Sequence, residues 1–170
     1  MSSQLKRVVV DTCVVVDLLT GEEPEWAERA RWLLAGHGEL HEIVLPAIVV
    51  AEIAGCPVML TDDKVPVDVR EERTAKARDW IHGSGFVVAE LSENLARRSA
   101  ELAVQHRLRG ADATVLATAM QWGEALFTRD RRLLGCKVPG LSIEVPREVP
   151  SPPESEMTLY DDDAFDSSRI

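Results

Sequence analysis

The sequence predicts an α/β fold in three layers: a central, mostly parallel sheet of four to five strands flanked by helices. Two observations carry this prediction. Short aliphatic runs, RVVVD (7–11), HEIVLP (41–46), GFVVAEL (85–91) and ALFT (125–128), alternate with longer segments whose apolar residues recur at helical spacing. The runs are apolar without alternation, as expected of strands covered on both faces by crossover helices. A third observation sets the scale: 170 residues with 45% in the apolar class suit one domain with a single core.

The elements follow in chain order. RVVVD is the first strand, and the segment after it turns helical through Asp17, Leu18 and Leu19. Pro24 opens a second helix, in which Trp26, Ala30, Leu33 and Leu34 share a face until Gly36 and Gly38 stop it. HEIVLP gives the second strand, ended by Pro46. Ala47 to Ala54 reads as a helix ended by Gly55 and Pro57, although its apolar run is too short for periodicity alone to fix its type. Residues 56 to 67 read as a loop, and Asp68 to Ile81 as a solvated helix. GFVVAEL is the third strand, and Ser92 is the N-cap of a helix running through Leu95, Leu102 and His106. Gly110 resets the chain before an Ala-rich buried helix, Ala111 to Trp122. ALFT is the fourth strand, Asp130 to Leu134 a helical turn, and LSIEV (141–145) a last edge strand. This defines a domain over residues 1–145. Beyond it, residues 146–170 combine Pro146, Pro150, Pro152 and Pro153 with acids and serines, the composition of a flexible tail.

Composition narrows the function. The three cysteines, Cys13, Cys56 and Cys136, form no CxxC pair, and the four histidines show no ligand spacing, so neither a disulfide framework nor a zinc site is expected. No run approaches the roughly 20 apolar residues of a bilayer span, and no signal peptide opens the chain, so no membrane association and a cytoplasmic location are expected. The formal charge is −10, but it is uneven. Residues 146–170 hold seven acids and two arginines, leaving 22 acids and 17 bases in the body. Half the excess lies in the tail, and local basic strips on the body remain able to meet phosphates.

Four acids stand at element ends or in apolar surroundings: Asp11 closing the first strand, Glu52 within IVVAEIAG, Asp112 within GADATVLATA, and Asp130 after the fourth strand. Open α/β sheets place their sites at the carboxyl ends of the strands, where Asp11 and Asp130 fall. Taken singly, Asp11, Asp112 and Asp130 also suit helix N-termini as capping groups, and Glu52 suits a buried arginine partner. Taken together, several carboxylates within about 4 Å repel by about 1 kcal/mol in water and about 4 kcal/mol at a protein-like dielectric, and need a cation. Oxygen ligands alone favour Mg²⁺ or Mn²⁺ over Zn²⁺.

VVVDTCVVVDLL, VVAEIAG, RLRGADATVLATA and LFTRDRRLL, in that order, resemble the acidic motifs of the PIN-domain ribonucleases, in particular the VapC-like toxins of type II toxin-antitoxin pairs. The resemblance covers about residues 7–145. It implies a PIN-like fold and a metal-dependent endoribonuclease in which Asp11, Glu52, Asp112 and Asp130 are catalytic and hold one or two Mg²⁺ or Mn²⁺ ions. The products implied are a 5′-phosphate and a 3′-hydroxyl. It further implies an RNA substrate, a cognate antitoxin protein and a homodimer. Thr12 and Thr128 are expected to orient the carboxylates by hydrogen bonding. Arg109 and Arg129, flanking the acidic segments, are expected to grip RNA phosphates. Asp17, six residues from Asp11 along a helix, is expected to face away.

The sequence departs from the pattern at Cys13, where these proteins often carry Asn or Ser, in the long stretch from Glu52 to Asp112, and in the acidic tail. Three other readings stand beside the ribonuclease: a non-catalytic RNA- or protein-binding module of the same fold, a nuclease of the same fold acting on structured DNA, and a phosphatase using Asp11 as nucleophile. The phosphatase lacks its usual second acid two residues on, where Cys13 stands.

Overall fold

The computed structural model describes residues 5–55 and 66–148. Most of the predicted 56–67 loop, with Cys56, and residues 149–170 of the predicted tail lie outside the described residues. The sheet has five strands. The central one is β1 (Arg7–Val10), flanked by β2 (Glu42–Pro46) and β4 (Ala125–Phe127), with β3 (Val87–Ala89) and β5 (Ser142–Glu144) at the edges. Every pairing is parallel, so the order β3-β2-β1-β4-β5 requires a helical crossover at each step.

The central strands are apolar on both faces because both faces are covered. Val9, Val10, Ile43, Val44, Leu45 and Leu126 are all fully buried. Each such side chain contributes about 1.5–3 kcal/mol on leaving water, set against the ordering of its backbone.

The crossover helices are α1 (Thr12–Thr20), α2 (Pro24–Ala35), α3 (Ala47–Gly55), α4 (Val67–Gly83), α5 (Glu93–His106), α6 (Gly110–Trp122) and the single turn α7 (Arg131–Leu134). Their ends follow local chemistry. Asp11 caps α1, Ser92 caps α5 by accepting from Leu95 N–H at 3.2 Å, and Asp130 caps α7. Pro24 occupies the first turn of α2, and Gly21 closes α1 with φ +61°, a left-handed conformation that a Cβ disfavours. Helix α6 is the most enclosed, with every residue from Ala113 to Ala119 buried. Thr114 and Thr118 return their hydroxyls to the carbonyls of Gly110 and Thr114, so the buried oxygens stay satisfied. No helix among the described residues is long and apolar enough to cross a membrane.

The strands are shorter than their sequence signals. GFVVAEL reduces to Val87–Ala89 because Gly85 turns at φ +72° and Leu91 is exposed at the strand exit. Likewise Asp11 and Thr128 stand just past the ends of β1 and β4. Ending the strands there leaves both side chains at the carboxyl rim of the sheet.

Candidate active site

Four chain features build the rim. Strand β1 delivers Asp11, β2 leads directly into α3 with Glu52, α6 presents Asp112 in its first turn, and β4 delivers Thr128 and then Asp130. Asp11 is the best held. Its Oδ1 accepts from Thr12 N–H at 2.7 Å, and its Oδ2 accepts from the Thr128 hydroxyl at 2.6 Å and the Cys13 thiol at 3.2 Å. Burial raises its pKa; these three hydrogen bonds work against the rise, and the charge of Asp112 adds to it.

Thr128 is fully buried and serves two acids at once. It donates to Asp11, and its oxygen accepts from Asp130 N–H at 2.9 Å. Asp130 accepts through Oδ1 from the N–H groups of Arg132 and Leu133. Asp112 has its pKa raised by burial and then by the charge of Asp130, opposed by the Arg109 N–H and the charges of Arg109 and Arg132. Thr12 joins the last acid to the group, its hydroxyl donating to Glu52 Oε2 at 2.5 Å.

The geometry of Glu52 differs from its sequence setting. Its apolar neighbours along the chain do not enclose it: Val49 and Ile53 face the core, Val50 and Ala54 are half-buried, Ala51 is exposed, and Glu52 is half-buried on the rim side. The carboxylate therefore meets Thr12 rather than a buried arginine.

Asp11 feels the charge of Asp112 and Asp112 that of Asp130, and Thr12 joins Glu52 to Asp11, its hydroxyl donating to the first and its N–H to the second; a hard divalent cation takes several such carboxylate oxygens as ligands. Among the described residues, however, no three His, Cys, Asp or Glu side chains are gathered into a ready ligand set. Asp11 and Asp130 instead direct oxygens at backbone amides, and Glu52 directs one at Thr12. The donor chemistry fits Mg²⁺ or Mn²⁺: carboxylate oxygens without imidazole, with burial and then like charge raising Asp11 and Asp112.

The two arginines have different surroundings. Arg109 is exposed at the N-cap of α6, near enough to Asp112 for its charge to lower that carboxyl's pKa. Arg129 donates from Nη1 to Asp17 Oδ1 at 2.7 Å and from Nη2 to Glu23 at 2.9 and 3.1 Å, and its guanidinium lies 4.3 Å from the Trp26 ring centroid. Burial alone would lower its pKa, but the Glu23 hydrogen bonds and the Asp17 and Glu23 charges outweigh it and keep Arg129 firmly charged.

Asp17 does not face solvent. Its side chain is 12% exposed, and the signal that singled out Glu52, a carboxylate inside an apolar helical run, is present in VVVDLL as well. Cys13 also has a place unseen in sequence. Burial and the neighbouring Asp11 charge push its thiol up to about 12, so it stays protonated and donates to Asp11 while its sulfur accepts from Arg129 N–H at 3.2 Å.

Comparison with known proteins agrees with this architecture. The family described as PIN domain matches residues 8–135. Among solved structures, a toxin-antitoxin complex from Klebsiella pneumoniae is 21% identical, covering 84% of this chain and 99% of that one with a TM-score of 0.58. VapC20 of Mycobacterium tuberculosis, described as a sarcin-ricin loop cleaving toxin, is 15% identical, covering 72% of this chain and 89% of its own with a TM-score of 0.57. VapBC2 from Rickettsia felis, bound to a DNA fragment from its promoter, is 15% identical, covering 82% and 98% with a TM-score of 0.55. No curated protein matches the chain. At such identities the likeness to the solved structures is one of fold.

Proposed function

The chain belongs to the PIN domain family, and from that membership we propose that it is a divalent-metal-dependent endoribonuclease, the toxin of a toxin-antitoxin pair. Asp11, Glu52, Asp112 and Asp130 are the acids that hold Mg²⁺ or Mn²⁺. The observation that supports this most is the linkage of the four acids at one sheet rim through Thr12, Thr128 and their own charges. A divalent cation bound there supplies an acidified water and offsets charge developing on the phosphodiester.

The chain's own residues do the rest. Thr12 N–H, Thr128 and Cys13 fix the Asp11 carboxylate at the rim, so that it is the anchored ligand on which the other acids would close. Thr12 fixes Glu52 in the same way. Arg109, exposed beside Asp112, is placed to meet an RNA phosphate. A small antitoxin protein that covers the rim and a homodimeric toxin belong to the same reading. The neighbours described as toxin-antitoxin complexes support the antitoxin.

The test is RNA cleavage over time with Mn²⁺, Mg²⁺ or EDTA, beside Asp11→Asn prepared identically. Cleavage that needs both metal and Asp11 is the expected result. Equal cleavage by the variant would assign the activity to a contaminant. A matched DNA oligonucleotide separates an RNA enzyme from one acting on DNA. The non-catalytic binding module draws on one observation, the lack of a gathered three-ligand set among the described residues. Calorimetric titration with Mn²⁺ decides it, since that module takes up no ion.

A further inference from the structure

Asp17 is an acid the proposed reaction does not use, yet its side chain is nearly enclosed and, among the described residues, hydrogen-bonds an arginine 112 residues away in sequence. Its second oxygen, Oδ2, is buried with no hydrogen-bond partner among the described residues, so there the position of this charge rests on Arg129. Arg129 in turn lies between the two residues of β4 and its exit that matter to the rim, Thr128 and Asp130. Its backbone N–H reaches Cys13 Sγ at 3.2 Å, and Cys13 reaches Asp11.

Resting on the nuclease reading above, we propose that Asp17 is a positioning residue for the catalytic acids. It acts through Arg129, which pins the 128–130 turn onto α1 and thereby sets Asp11 and Asp130 relative to each other.

Three features separate this from an ordinary surface ion pair. The side chains are 12% and 24% exposed, so solvent screens the pair little. The guanidinium is fixed on two further sides, by the Glu23 carboxylate at Nη2 and by the Trp26 ring. Hydrogen bonds join Asp17 to Asp11 through the Arg129 side chain, held at its guanidinium end, and its backbone: Arg129 N–H to Cys13 and Cys13 to Asp11 on one branch; adjacent Thr128 to Asp11 on the other. Arg129 is thereby committed within the protein, and the phosphate contact expected of it from sequence passes to Arg109.

The experiment compares wild type, Asp17→Asn, Arg129→Gln and the double variant by Mn²⁺ calorimetry, by kcat and KM on a labelled RNA oligonucleotide, and by thermal unfolding as a control of fold. Each single change is expected to weaken Mn²⁺ affinity and kcat by roughly 10- to 100-fold with KM unchanged, and the double variant to be no worse than the worse single one. If Arg129 gripped RNA instead, Arg129→Gln would raise KM with kcat intact and Asp17→Asn would leave Mn²⁺ binding untouched; either result overturns the inference. Should Asp17→Asn unfold, Glu23→Gln, which trims the exposed side of the clamp, is expected to show the same loss in smaller measure. Wild-type Mn²⁺ affinity and kcat in that variant would overturn the inference too. Wild type that neither binds Mn²⁺ nor cleaves RNA removes the nuclease reading and this inference together, whereas an active wild type with unchanged variants removes the inference alone.

Discussion

Asp11 and Asp112 both have pKa values raised above the ordinary 3.8, Asp11 chiefly by burial and Asp112 by burial and the Asp130 charge. A carboxyl raised in the folded state stabilises the protein when protonated. That contribution is complete below the unfolded value of 3.8 and is lost as pH rises through the raised folded values. At neutral pH the metal-free fold therefore carries a desolvated charge, and the repulsion from Asp130, that Asp112→Asn removes. The expected outcome is a variant at least as stable as wild type in thermal unfolding but without metal-dependent cleavage; wild-type cleavage would dismiss the four-acid site. The same protons must leave when a cation binds, so Mn²⁺ affinity is expected to climb with pH past the range of an ordinary carboxylate, as a calorimetric pH series would show. The four acids stand out in the sequence because each breaks a local rule, as a charge in an apolar run or a carboxylate at a strand end, and the fold brings them to one end of the sheet. Asp17 breaks the same rule and was passed over because helical spacing turned it from Asp11. Its partner Arg129 lies far along the chain, and only the fold joins them.

At the scale of elements, type was legible and boundaries less so. The runs around β1, β2 and β4 announced themselves because strands covered on both faces need no alternation. Helix α3 was ambiguous, since AIVVAEIAG is apolar almost throughout; what settles it is tertiary, with Val49 and Ile53 buried one helical turn apart directly after Pro46 closes β2. The turn between α6 and β4 carried no signal of how tight it is. A Cβ on Gly123 would stand 2.9 Å from Val9 Cγ2 and 3.2 Å from the Ala125 carbonyl oxygen, so α6 meets β1 there with no room for a side chain. Gly123→Ala is accordingly expected to cost about 1–3 kcal/mol in a urea unfolding series, the usual penalty of overpacking a core that cannot yield. A cost near zero would mean that β1 and the turn separate freely, which would also loosen Asp11 at the end of that strand.

At the scale of the whole molecule, and on the ribonuclease reading, the charge distribution sets what RNA would meet on approach. Residues 149–170 carry six acids and Arg169, net −5, half of the total of −10. The described chain leads toward the rim: Arg29 bonds Glu148 at 3.2 Å and the Pro146 carbonyl at 3.5 Å, and Arg29 shares the Trp26 ring with Arg129. The chain therefore passes beside the Arg129 clamp just before its most acidic stretch begins. Another 22 residues span at most roughly 70 Å when extended, ample to reach Arg109 and the acids' rim. A tethered polyanion of this reach is expected to compete with an RNA substrate for the same cations and to repel its phosphates at low salt. In an Asp11→Asn background, where RNA is bound without being cut, deleting residues 149–170 is expected to tighten RNA binding severalfold at low salt. The gain should shrink toward 1 M salt, where the screening length is about 3 Å. Fluorescence anisotropy with a labelled RNA across a salt series measures both. Equal affinities at every salt concentration would show that the tail's charge never meets the RNA site, and would leave the body's basic residues as the sole electrostatic determinant of binding.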